Sequence, residues 1–160
     1  MTTTRHTGRS RRSAALVTGF MVAIGGLGLA TASPAAATPD ECGSWASPAN
    51  ATNIVTVNET AMEPDAWYWK RWVQLRVGEI NGQKYGWARV VGKSMEGDKY
   101  WMDVTRNGAA SWVQCGPFTV AKDLDGGYTP AYRADYNNPA LRFRACAQAV
   151  GEQSVCGPWW

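Results

Sequence analysis

The sequence predicts an all-β fold, a sandwich or barrel of short antiparallel strands, and three observations predict it. Apolar and polar side chains alternate with period two over several stretches after Trp69. Turn signals built on Asn-Gly and Asp-Gly separate those stretches at intervals of roughly ten residues. No stretch after Thr38 carries a clean helical apolar repeat.

The chain opens with an export signal. Arg5, Arg9, Arg11 and Arg12 precede an uncharged apolar run from Ala14 to Ala30, and Ala35-Ala36-Ala37 supplies a small-residue cleavage site. Residues 1–37 are therefore read as a signal peptide and Thr38 as the mature start. The run is short for a membrane span of about 20 residues and carries Gly19, Gly25, Gly26 and Gly28, which argues against a retained anchor. Arg11-Arg12 hints at twin-arginine export. Ala14 and Ala15, where that signal prefers larger apolar residues, favour ordinary secretion. The chain's formal +3 reflects this signal: removing four of its 16 basic residues leaves 12 against 13 acids, a mature charge near −1. Such a balance carries no field for nucleic acid or for an anionic membrane after cleavage.

Four cysteines, Cys42, Cys115, Cys146 and Cys156, form an even set in an exported chain and predict two disulfides. Spacing leaves three pairings open. The favoured one joins Cys146 to Cys156 across a short loop between two strands and leaves Cys42 for Cys115. Metal binding is excluded as a reading, since no Cys-x-x-Cys pair and no histidine beyond His6 is present.

Residues 38–66 read as an N-terminal arm with one candidate strand, Asn53 to Val57. Asn50-Ala51-Thr52 and Asn58-Glu59-Thr60 match the N-glycosylation pattern. The β-domain is assigned to residues 67–160. In its first strand Val73, Leu75 and Val77 face one way while Lys70, Trp72, Gln74 and Arg76 face the other. Asn81-Gly82 is a strong hairpin signal leading back through Tyr85 to Val91. Lys99 to Val104 alternates Tyr100, Met102 and Val104 against Lys99, Trp101 and Asp103. Asn107-Gly108 is expected to turn it directly into Ser111 to Cys115. Asp125-Gly126-Gly127 and Asn137-Asn138-Pro139 punctuate the remainder of the chain, and Leu141 to Ala147 and Ser154 to Trp159 form the last strands.

Tyr100-Trp101-Met102-Asp103-Val104-Thr105-Arg106-Asn107-Gly108 through Trp112 resembles a strand–turn–strand of fibronectin type III and similar immunoglobulin-like modules. Leu141-Arg142-Phe143-Arg144-Ala145-Cys146 with Cys156-Gly157-Pro158-Trp159 resembles their final strand pair. The resemblance implies an immunoglobulin-like β-sandwich, with the cysteines as a departure from type III modules. Tyr85-Gly86-Trp87-Ala88-Arg89 and the terminal Trp-Trp are similar to small tryptophan-rich secreted proteins of filamentous actinobacteria. Size, export and disulfides make the chain similar to the small adaptor subunit of secreted umbrella toxin particles, which implies a joining role between a lectin-like and a large toxin subunit. Thr105 to Trp112 resembles a degenerate Asp-box, with Asn107 in place of the acid, and so implies a stable hairpin rather than a sialidase.

Histidine confined to the signal removes Ser-His-Asp, Cys-His and His–metal chemistry. Lys93-Ser94 reads as an exposed loop rather than a Ser-Lys dyad, and no glycine-rich phosphate loop or other cofactor motif occurs. Glu79 and Asp103, taken to flank adjacent strands, are the first carboxylate pair to consider for glycoside hydrolysis. Asp123-x-Asp125-Gly126 is a turn before it is half a calcium loop. The anomaly is nine tryptophans. Some must fill the core, but Trp69, Trp72, Trp101 and Arg76 lie among polar neighbours and are the candidate binding residues; the alternative is that the stems of the basic residues cover these indoles through cation–π contacts. The expected function is a secreted, non-catalytic protein–protein interaction or adaptor module that uses an aromatic sheet face or a free sheet edge. Its partner is then another secreted protein. The alternatives are a carbohydrate-binding module for a cell-surface glycan, a hydrolase inhibitor presenting the loop Asp123 to Tyr128, and a small carboxylate-dependent hydrolase. An adaptor predicts a contiguous apolar patch or an ordered N-terminal arm. A glycan module predicts spaced, exposed indoles.

Overall fold

The computed structural model describes residues 42–63 and 70–160; the expected signal peptide, Trp67 and Trp69 lie outside the described residues. The fold is all-β, two antiparallel sheets packed face to face. The first sheet holds β1 (Thr52–Ala61), β2 (Arg71–Ile80) and β3 (Gln83–Gly92), with the two-residue strands β6 (Gly127–Tyr128) and β7 (Tyr132–Arg133) both pairing with β3. The second runs β5-β4-β8-β9, from β4 (Lys99–Thr105), β5 (Val113–Thr119), β8 (Arg142–Gln148) and β9 (Ser154–Cys156). Among the described residues no helix is long and apolar enough to cross a membrane.

Alternation decides which side chains meet between the sheets. Val73, Leu75, Ala88 and Val90 from the first sheet bury against Tyr100, Met102, Val104, Phe143 and Ala145 from the second. The period-two reading of β2 and β4 thus places the core faces correctly. β2 and β3 are joined through Asn81 and Gly82, whose φ of 51° and 73° are the two positive values a type I′ turn requires, and Ile80 pairs with Gln83 across it.

Two expectations are refined. Within residues 38–66 the candidate strand Asn53 to Val57 is present and longer, an edge strand Thr52–Ala61 that pairs with β2 from Thr52↔Glu79 to Ala61↔Trp72. β-branched residues at six of its ten positions suit a pleated strand. The Asn107-Gly108 turn is also wider than a two-residue hairpin, since Val104 pairs with Val113. Asn107 Oδ1 accepts from Ser111 N at 3.0 Å and its Nδ2 donates to Ser111 Oγ at 2.8 Å, so the side chain staples the loop.

Both disulfides form as favoured. Cys42–Cys115 ties the segment before β1 to β5, and Cys146–Cys156 bridges β8 and β9. Two such bonds fit an oxidising environment. Beyond β9 the chain continues along β8: Gly157 N donates to Ala145 O, and Phe143 and Trp160 exchange backbone hydrogen bonds at 2.9 and 3.0 Å. A buried ion-pair cluster closes one end. Asp98 Oδ1 accepts from Arg71 Nη1 at 2.8 Å and from Val150 N at 3.0 Å, while Arg71 also pairs with Glu63.

Candidate functional site

The polar face of β2 is continuous with the edge strand β1, and together they form the candidate site. Trp72 lies opposite Ala61, and Gln74 opposite Glu59. Gln74 Nε2 donates to Glu59 Oε2 at 2.5 Å, and Arg76 Nε donates to Gln74 Oε1 at 2.8 Å. Burial, and then the nearby Arg89, hold the Arg76 guanidinium below its ordinary value, against Glu59. The polar row is thus a stapled lattice rather than a set of unengaged side chains.

Trp72 is half-buried. A Cβ on Gly92 would lie 3.0 Å from its Cε3, so the indole rests against that backbone. Trp87, next on the same face, is 2% exposed. It extends over Gly78, where a Cβ would meet Trp87 Cη2 at 2.9 Å and Ile54 Cγ1 at 3.2 Å. Ile54 and Trp87 therefore flank the same glycine, and the buried indole props an exposed side chain of β1. Ile54 and its neighbour Val55 are 44% and 59% exposed.

β1 has β2 on one side, and among the described residues no strand pairs its other rim. It has neither lysine nor proline, the residues that usually block an edge. Its register shifts between Thr52 and Val55 and between Thr56 and Asn58, and Asn53 takes φ 50° in the first shift. Towards its end Asn58 Nδ2 donates to Pro158 O at 3.5 Å, so the C-terminal segment flanks the last third. The open part is Thr52 to Val57.

The other predicted residues are placed differently. Trp101 is on the polar face of β4 as expected, but it is 9% exposed, and its choice as an open binding residue is corrected. It pairs in register with Cys146, beside the Cys146–Cys156 bridge. Next to it Arg144 lies over two indoles, 4.8 Å from Trp112 and 4.5 Å from Trp159, while it binds the buried Asp103. This face is filled by its own cation–π ladder. Of the described tryptophans, Trp45, Trp72, Trp87, Trp101, Trp112, Trp159 and Trp160, none is exposed.

The carboxylate pair also comes apart. Glu79 is on β2, bound to Lys84 at 2.8 Å and to Asn53 Nδ2 at 2.8 Å, and these two hydrogen bonds hold its carboxyl below the usual range. Asp103 is on β4 in the other sheet, so the two do not flank adjacent strands. Asp103, Cys146 and Cys156 cluster, but the two sulfurs are joined to each other and offer no thiolate to a metal. Asp123 Oδ1 accepts from Glu96 N at 2.8 Å, which ties its loop to the one before β4. Ser94, expected in an exposed loop, is buried, and its Oγ accepts from Gly126 N at 2.9 Å. No protein family, curated protein or solved structure matches the chain.

Proposed function

We propose that this chain is a secreted, non-catalytic binding module of immunoglobulin-like architecture that docks another secreted protein along the open rim of β1. The observation that carries the reading is that rim: an ordered strand whose outer side no other strand pairs among the described residues, with exposed Ile54 and Val55. Such an edge takes a partner strand through main-chain hydrogen bonds, with side-chain contacts giving specificity. The immunoglobulin-like assignment is supported by connectivity, because the chain crosses between sheets at β3 to β4, β5 to β6 and β7 to β8, as Greek-key sandwiches do. Export is supported by the signal-like start and the two disulfides. The adaptor role implied by the resemblance to umbrella toxin subunits would use the same rim. Covered indoles weigh against a flat glycan platform.

One observation favours a second reading, a hydrolase inhibitor. Leu124 is 68% exposed on a loop fixed by Leu124 N to Ser94 O at 2.8 Å and Gly126 N to Ser94 Oγ at 2.9 Å. Ile54→Lys with Val55→Lys should abolish recovery of the partner from culture fluid and leave the melt unchanged. Leu124→Asp should leave that recovery intact. Loss only with Leu124→Asp would favour the inhibitor loop over the rim.

A further inference from the structure

A groove of about 660 Å³ opens where the segment before β1 meets β7, and its wall includes Trp45, Tyr85, Tyr132, Arg133 and Asp135. It shares Asp135 and Leu141 with a second hollow of about 280 Å³, whose wall includes Tyr136, Arg142 and Trp160. The larger volume is in the range of sites that hold small ligands, as is the mixture of aromatic walls with a few polar groups.

Charge is unevenly placed here. Arg133 is exposed, and its side chain makes no hydrogen bond or ion pair among the described residues. Arg142 is exposed in the second hollow, with only its Nε engaged, on Pro139 O at 3.1 Å. Arg106 donates to Tyr132 Oη from Nε and Nη2, at 3.0 and 2.6 Å, and its guanidinium lies 5.4 Å from the centre of that ring. Asp135 is the one carboxylate lining the groove, and its Oδ1 already accepts from Asn137 N at 3.0 Å. Arg133 and Asp135 balance each other in the first hollow, and across the two hollows Arg133 and Arg142 outnumber Asp135 two to one.

Backbone groups along it are already used. Ala46 and Ala131 exchange hydrogen bonds, Ala134 N donates to Lys84 O, and Leu141 N donates to Asn138 O. An extended peptide finds little main chain to pair with, so recognition falls to rings and guanidinium groups. We infer that the groove binds a carboxylate-bearing oligosaccharide, with the apolar face of a sugar ring against Trp45, which packs edge-on with Tyr132 at 4.7 Å, and successive carboxylates on Arg133 and Arg142. One arginine in each of two joined hollows matches a polymer that repeats its acid, and guanidinium is the side chain best shaped for a carboxylate.

Titration calorimetry of the mature, disulfide-bonded protein tests this with tetragalacturonate and a hyaluronan hexasaccharide, each beside its methyl ester. At least one acid form should bind about tenfold or more tighter than its ester, with affinity falling as salt rises. Arg133→Gln and Arg142→Gln should each weaken binding about fivefold or more, with unchanged melts. Failure of both acids to bind at millimolar concentration overturns the inference, as does equal binding of acid and ester. Indifference to both arginine substitutions does the same. Tighter binding of an oligoglutamate peptide of matched charge would also overturn it and give the groove to an acidic protein segment.

Discussion

Two nitrogens of Arg144, Nε and Nη2, converge on a single oxygen of Asp103, at 2.8 and 2.7 Å, and leave Asp103 Oδ1 buried without a partner among the described residues. The carboxylate is 1% exposed, and burial raises its pKa more than the Arg144 hydrogen bond and charge lower it. A raised folded pKa means that the folded state holds its proton more tightly than the unfolded chain. The group's contribution is then full below the ordinary carboxylate value and is lost as pH rises through the raised one. Asp103→Asn should remove this dependence, so its stability relative to wild type should improve from acidic to neutral pH in chemical denaturation. Arg144→Ala should do the opposite, costing roughly 3 kcal/mol or more at neutral pH by stranding a buried charge.

The disulfides should contribute unequally. Cys42–Cys115 closes a separation of 73 residues and Cys146–Cys156 one of 10. Loop-closure entropy gives about 4.4 kcal/mol for the first and about 2.7 kcal/mol for the second. Denaturation of the two paired Cys→Ser variants should rank them in that order. A reversed ranking would mean that the bridge beside Trp101 stabilises by packing rather than by chain constraint.

Trp72 should behave as a support. Its indole lies on Gly92 and is half-buried, so Trp72→Ala should cost about 2 kcal/mol, below the roughly 3–5 kcal/mol of a fully buried ring. A melt indistinguishable from wild type would show that the indole contributes only at the surface.

Much of this fold is legible in the chain. Val73, Leu75 and Val77 alternate with Trp72, Gln74 and Arg76, and this pattern fixes both faces of β2, while Asn81-Gly82 fixes its hairpin. β1 is only partly legible: Asn53 to Val57 reads as a strand, but its extension to Ala61 depends on pairing with β2 across two register shifts. β6 and β7 leave no signal, because two-residue strands are made by β3 offering partners at Arg89 and Tyr85. Trp101 misleads for a related reason. Charged neighbours at Lys99 and Asp103 suggest water, yet Asp103 is itself buried by the partner Arg144 that comes from β8. Local polarity does not reveal cover supplied by a distant strand.

The rim of β1 carries the functional reading, and amide hydrogen exchange with the bound partner tests it most directly. Strand addition closes main-chain hydrogen bonds, so exchange at Thr52 to Val57 should slow on binding, with β2 and β3 unchanged. Exchange at Thr52 to Val57 that stays at its unbound rate, with protection appearing instead around Leu124 or on the Arg144 face, would contradict docking along β1.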